Sequence, residues 1–266
     1  MDYIQAVFLA VIEGITEFLP VSSTGHMVIF SSFMGIEKDE FTKLFEIVIQ
    51  LAAILSVVVI YWRKFFDFKR LGFYVKLMIA VIPALVIGGL FKKHIEKMME
   101  TPVVIAMMLV IGGVLLLFVD KWFTNPKITD ETQITNKKAL TIGFYQTLAI
   151  VFPGMSRSAS TIIGGMEQKL DRKTAAEFSF FLAVPTMLAA TVKSIFDVYK
   201  HSPEVLNTGN MGILAVGNIV AFIVSYASIK FLISYLTKNG FRIFGYYRIL
   251  IGLIILSIYF FAPTQK

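Results

Sequence analysis

Residues 13–26 read "EGITEFLPVSSTGH", and residues 146–156 read "QTLAIVFPGMS". Laid on one another, Glu13 and Gln146 each stand seven residues before a proline, Pro20 or Pro153. Ser23 and Ser156 each stand three residues after it. Two further pairs keep the order: "EIVIQLA" (46–52) with "EFSFFLA" (177–183), and "LVIGGVLL" (109–116) with "ILIGLIIL" (249–256). Three matches in one order, at similar offsets, indicate an internal duplication. Repeat 1 covers about 1–122, a polar Thr- and Asn-rich linker about 120–138, and repeat 2 about 139–262, all within one membrane domain.

The surroundings of these two stretches name the solvent. Of 266 residues, 56% are hydrophobic and 16% charged, and the mean hydropathy is +0.74. Soluble domains carry about 25% charged residues. Apolar runs at 44–62, 73–91, 103–119, 176–196, 211–236 and 246–262 are long enough to cross a bilayer, which takes roughly 17–25 residues. The expected fold is therefore an all-α polytopic integral membrane protein with about six transmembrane helices. The N-terminus lacks the basic region of a cleavable signal peptide. There are no cysteines, which excludes disulfides, thiol chemistry and Cys-ligated metals. The net charge of +7 is read as loop lysines that set orientation, not as a nucleic-acid surface.

Each half holds one Pro-interrupted polar element and three clean spans. If the interrupted element dips in and returns on the same side, each half crosses an odd number of times, and the two halves are inverted relative to one another. Inverted repeats with broken helices meet near the midplane, and their site lies there. With both termini outside, the inward segments carry 13 Lys and Arg against 7 outside, the bias expected of cytoplasmic loops. "KKHIEK" (92–97) weakens that count. In this orientation the first polar element opens to the outer face.

The polar elements have the residue types of phosphoryl chemistry. Glu13 and Glu17, spaced i, i+4, share a helix face, and Ser23 and His26 share one if a helix restarts after Pro20. Ser22, Ser23 and Thr24 are N-cap types, and a helix N-terminus suits a phosphate. In "PGMSRSAST" (153–161) Arg157 stands among Ser156, Ser158, Ser160 and Thr161. An arginine at membrane depth needs an anionic or polar partner, and its fork matches phosphate oxygens. Ser23 is the candidate nucleophile and His26 its base or the acid for a leaving group. Glu17 and Glu13 would orient the histidine, position water or hold a divalent cation, and Arg157 would stabilise charge on the transferring phosphoryl group. The implied reaction is phosphoryl transfer to water from a membrane-embedded substrate.

Blander readings stand beside these. Ser158, Ser160 and Thr161 could simply bond backbone carbonyls. Glu46 and Glu177, related by the repeat, could be scaffold as well as site. His94 and His201 fall in loops. Lys76, Lys193, Lys230 and Arg248 lie near span ends and are expected to snorkel. A lipid or anion transporter is the rival class, because inverted repeats with midplane charges also make carriers.

The two motifs, with "FEIVIQLAAILSVV" and "EFSFFLAVPTM", resemble the bacterial undecaprenyl-diphosphatases, also called the bacitracin-resistance protein family. The resemblance spans essentially the whole chain. It implies removal of the terminal phosphate of undecaprenyl diphosphate, recycling the lipid carrier of peptidoglycan synthesis, with Mg2+ or Ca2+ in support. It implies a fold of two re-entrant elements and six spans in an inverted repeat, in the bacterial inner membrane. By motif position Glu13 and Glu17 are the acidic pair and candidate metal ligands, Ser23 the nucleophile and His26 the motif histidine. The expected diphosphate contacts come from Ser22, Thr24 and Gly25 in the first element, and from Ser156, Arg157, Ser158 and Thr161 in the second. The expected partners are the polyprenyl diphosphate and membrane lipids, with no nucleic acid. Whether Ser23 or water attacks phosphorus is left open, as is the oligomeric state, a homodimer being one option.

Overall fold

A computed structural model describes residues 1–91, 95, 98 and 101–261. His94 therefore lies outside the described residues. The architecture is all-helical. Among the described residues the only β-pairing is an isolated bridge between Ile128 and Leu170.

Two helices open the chain, α1 (Tyr3–Thr16) and α2 (Ser23–Phe33). Asp2 caps α1 with a reciprocal capping box to Gln5, which satisfies two backbone donors at once. At 1.5 Å per residue the two helices are about 21 and 16 Å long, too short for a hydrocarbon layer of about 30 Å. The same arrangement recurs in α7 (Asn136–Val151) and α8 (Arg157–Glu167). These are the two broken elements expected from Pro20 and Pro153.

Six longer helices have the length and apolarity to cross a membrane: α3 (Glu40–Ile60), α5 (Leu71–Leu90), α6 (Pro102–Trp122), α9 (Arg172–His201), α10 (Thr208–Asn239) and α11 (Arg242–Phe261). A four-residue turn of helix, α4 (Trp62–Phe65), follows α3. Helices α9 and α10 run beyond their apolar windows. Asp171 and Asn207 cap them well before the apolar run begins, so hydrogen bonding, not hydropathy, sets where they start. Helix α10 stops at Gly240, whose φ of 73° suits a residue without Cβ. Pro83 and Pro185 lie inside α5 and α9, as membrane helices tolerate.

The packing is doubled like the sequence. Helix α1 packs on α10 as α7 packs on α5, while α3 pairs with α9 and α6 with α11. Gly113 and Gly245 bring the backbones of α6 and α11 together. A Cβ on either would lie 2.8 Å from the other's carbonyl oxygen. Close approach through small residues is how helices associate in lipid, where apolar burial gives little drive. Large apolar side chains such as Ile219, Ile223 and Phe231 face outward, as a lipid-facing surface requires.

The core lies around the first turn. Phe18 is fully buried and packs edge-on against Phe180, with Phe178 and Phe181 in the same cluster. At one end of the bundle the linker is held by charge. Glu131 accepts hydrogen bonds from Arg70 Nη2 (2.7 Å) and Lys64 Nζ (3.1 Å), and Lys76 Nζ donates to the Glu131 and Thr132 carbonyls.

Arg248 departs from expectation. It does not snorkel to an interface but is fully buried. Lys230 instead covers the Tyr226 ring at 4.3 Å, and Lys193 is exposed, as a long cationic stem at a span end should be. His201 bonds the Asp197 carbonyl in the last turn of its own helix, which leaves it the bland reading.

Candidate active site

Two helix N-termini build the site. Ser22 caps α2, its Oγ accepting from the Gly25 N–H at 3.3 Å, and Ser156 caps α8, its Oγ accepting from the Ala159 N–H at 3.2 Å. Both caps sit at positive φ, 71° and 74°. The structural equivalence is therefore Ser22 with Ser156, one residue away from the pairing of Ser23 with Ser156 that the aligned motifs imply. The cause is one additional residue after the second proline: Val21 alone separates Pro20 from its cap, whereas Gly154 (φ 96°) and Met155 separate Pro153 from its cap. With that shift, Ser23 and Arg157 are the first helical residues of α2 and α8.

Glu17 joins them. It follows the last residue of α1 and keeps helical geometry, its N–H donating to the Glu13 carbonyl at 2.9 Å. Ser23 Oγ donates to Glu17 Oε2 at 2.5 Å, and Arg157 Nη2 donates to Glu17 Oε1 at 2.8 Å. One buried carboxylate thus holds a hydroxyl on one oxygen and a guanidinium on the other. Arg157 Nη1 donates to the Ser179 carbonyl at 3.2 Å. Its Nε is buried and has no hydrogen-bond partner among the described residues.

These groups line a cavity of about 300 Å³. Ser22, Ser23, Thr24, Glu17, Ser156 and Arg157 give it a polar floor, and Ile47, Ile150 and Met187 give it apolar walls. First-turn residues of two helices line it, and helix N-termini with their dipole ends attract anions. The arrangement offers a hydroxyl with a carboxylate beside it, an arginine donor without a partner, and two positive helix ends. That combination fits attack on a phosphorus centre.

Other expected residues lie elsewhere. His26 is buried, but it does not meet Ser23. Its Nδ1 lies 2.8 Å from the Ser22 carbonyl and its Nε2 lies 2.8 Å from the Tyr247 hydroxyl, across from α11. A carbonyl can only accept, so Nδ1 carries the proton and Nε2 accepts from Tyr247. The carboxylate of Glu17 occupies the place expected for the histidine base. Glu13 is fully buried one turn before Glu17, and neither of its carboxylate oxygens has a hydrogen-bond partner among the described residues. Gly25 spends its N–H on the Ser22 cap.

In the second element, Ser158 Oγ donates to the Leu19 carbonyl at 2.9 Å, stitching the two broken elements together. Ser160 Oγ donates to the Ser156 carbonyl, and Thr161 Oγ1 bonds the Arg157 carbonyl and Ser179 Oγ. For these three the backbone-bonding reading accounts for the contacts. Glu177 belongs to the network around Lys64, 3.5 Å away, and accepts from Tyr61, so it is scaffold. Glu46 is half-buried on α3, with Oε1 unpartnered among the described residues.

Two contributors went unread in the sequence. Gln50 lines the cavity from α3, and its signal was a lone amide inside "EIVIQLAAIL". Tyr247 reaches His26 from 221 residues away, and nothing local marks it.

A divalent cation is compatible with the donor set. The two unpartnered oxygens of Glu13, next to the Glu17 carboxylate, are hard oxygen donors. Mg2+ is commonly bound by one or two carboxylates together with substrate phosphates. No cluster of three or more metal-ligating side chains occurs among the described residues.

Comparison with known proteins bears on this arrangement. The chain matches the family described as Bacitracin resistance protein BacA over residues 6–254. It is 58% identical over 261 residues to an undecaprenyl-diphosphatase of Flavobacterium psychrophilum, covering 98% of this chain and 97% of that one. It is 59% identical to the undecaprenyl-diphosphatase of Flavobacterium johnsoniae, covering 98% and 97%. It is 49% identical to that of Porphyromonas gingivalis, covering 95% of each.

Proposed function

Because the chain belongs to the bacitracin resistance protein BacA family and is an undecaprenyl-diphosphate phosphatase, we propose that its chemistry takes place in the cleft of Glu17, Ser23 and Arg157. The observation that carries this reading is the pair of bonds on Glu17, one to the Ser23 hydroxyl and one to the Arg157 guanidinium. Nothing comparable supports a carrier without catalysis.

The diphosphate enters between the N-termini of α2 and α8. The Arg157 guanidinium and the first-turn amides bind the terminal phosphoryl group and take up charge as it transfers. Ser23 Oγ attacks the terminal phosphorus while its proton passes to Glu17 Oε2. The bond to the bridging oxygen breaks, and undecaprenyl phosphate leaves with the proton passed on by Glu17, whose carboxylate is thereby restored. Water then attacks the serine ester, Glu17 taking its proton, and the proton returns to Ser23 as inorganic phosphate departs. In the alternative course Glu17 takes the proton of a water molecule that attacks directly, and Ser23 only orients it.

Glu13 and Glu17 would hold Mg2+ or Ca2+, which would neutralise diphosphate charge when bound. Replacing Glu13 by Gln should then raise the cation concentration needed for half-maximal rate. The lipid tail leaves along the apolar walls at Ile47, Ile150 and Met187. The loop-charge bias supports a multi-pass position in the bacterial plasma membrane with this cleft facing outward.

The test is phosphate release from undecaprenyl diphosphate by wild-type protein and Ser23→Ala, with and without Mg2+ or Ca2+. Loss of release by the variant, with phosphoserine trapped on wild type, supports serine attack. Release by both moves the attack to water.

A further inference from the structure

We propose that Arg248 is a positioning residue for this reaction: it clasps the turns of both broken elements and sets Ser23 against Arg157. The inference rests on the catalytic cleft described above. Arg248 sits on α11, fully buried, and no carboxylate pairs with it among the described residues. Instead its guanidinium meets five backbone carbonyls. Nε donates to Leu109 at 3.3 Å, Nη1 to Pro20 at 3.2 Å and to Met155 at 3.0 Å, and Nη2 to Met108 at 3.1 Å and to Gly154 at 2.8 Å.

The identity of those carbonyls makes the argument. Pro20 lies two residues before the cap of α2. Gly154 and Met155 lie two and one before the cap of α8. Each turn exposes carbonyls at membrane depth, where water cannot satisfy them. A single planar head with five donors in a fixed fork ties both turns to one point, and through the Leu109 and Met108 carbonyls to α6. The two helices it seats begin with Ser23 and Arg157, so its geometry fixes their separation.

The seat is built for this head. A Cβ on Gly112 would stand 2.2 Å from Nη2 and 2.7 Å from Cζ. The device also breaks the internal repeat. In the alignment of "LVIGGVLL" with "ILIGLIIL" the counterpart of Arg248 is Met108, so one arginine, supplied by the second half, serves the turns of both.

The experiment compares purified wild-type, Arg248→Lys and Gly112→Ala proteins for kcat and KM on undecaprenyl diphosphate, with amide hydrogen exchange on each. Lysine keeps the charge but has three donors in place of five, and Gly112→Ala displaces the guanidinium without removing it. We expect kcat to fall about 100-fold in both, as small misplacements of reacting groups do, with KM changed less than about threefold. Exchange should rise at residues 18–25 and 152–159 and stay unchanged in α3 and α9. Combined with Ser23→Ala, Arg248→Lys should cost nothing further. Wild-type turnover in the same preparation separates failure of this proposal from failure of the phosphatase reading. A wild-type kcat in Arg248→Lys, or exchange raised evenly across all helices, overturns it. So does loss of folded protein in both variants, which would make Arg248 scaffold alone.

Discussion

Replacing Glu17 by Gln tests the centre of the site. The side chain keeps its shape and one acceptor oxygen but loses its charge. Two charge-assisted hydrogen bonds are affected, from Ser23 Oγ at 2.5 Å and from Arg157 Nη2 at 2.8 Å. Hydrogen bonds to charged groups are worth about 1.5–3 kcal/mol each. If both matter more in the transition state than before it, the barrier rises by about 3–6 kcal/mol, a loss of about 150- to 25,000-fold in kcat. The assay is phosphate release from undecaprenyl diphosphate at saturating substrate, with thermal unfolding followed in parallel. Because Glu17 acts on Ser23, the double variant Glu17→Gln with Ser23→Ala should be no slower than Ser23→Ala alone. A kcat within tenfold of wild type, or losses that multiply in the double variant, would refute the hub role of this carboxylate.

Other outcomes follow from the same geometry. Arg157→Lys should lose at least about 100-fold in kcat/KM, because an ammonium cannot hold Glu17, the Ser179 carbonyl and a phosphoryl oxygen with one planar fork; near-normal turnover would exclude fork recognition. Gly143→Ala should lower the unfolding temperature, since its Cβ would stand 2.2 Å from the Ala80 carbonyl oxygen and overpacking costs about 1–3 kcal/mol; an unchanged midpoint would show that α5 and α7 separate freely. Burial alone would raise the Glu131 carboxyl, but hydrogen bonds from its own backbone N–H, Arg70 and Lys64 outweigh it and hold the group below its ordinary value of 4.5. Its contribution to stability is therefore present above that value and lost as pH falls through the lower folded one. Thermal midpoints of wild type should drop more steeply on acidification than those of Glu131→Gln, and parallel curves would count against the latch.

The spans and the two broken elements were legible because they rest on local signals, apolar length and a proline inside a polar run. Glu17 and Arg157 were legible too, since ionisable groups at membrane depth stand out against apolar neighbours, and Ser23 was legible from its place in the polar run after Pro20. Partner choice was not. The spacing of Ser23 and His26 invited a pairing, yet His26 bonds the Ser22 carbonyl and Tyr247, the latter a contact that only tertiary packing creates. Arg248 looked like a snorkelling residue because its sequence neighbourhood matches a span end, and sequence cannot tell an interface from an inward carbonyl cluster. The one-residue shift between the caps was equally hidden, for Gly154 lengthens a turn without disturbing the motif around it.

Ser22 and Ser156, at φ 71° and 74°, hold a conformation that costs an L-residue roughly 1–2 kcal/mol and glycine almost nothing. Glycine at either cap would relieve that strain while deleting a hydroxyl from the cleft, and glycine is itself an acceptable helix cap. Thermal robustness and turnover are thus set against each other at two known positions. A chain improved for heat tolerance at these caps would become a poorer hydrolase, and so a better vehicle for holding its lipid unreacted.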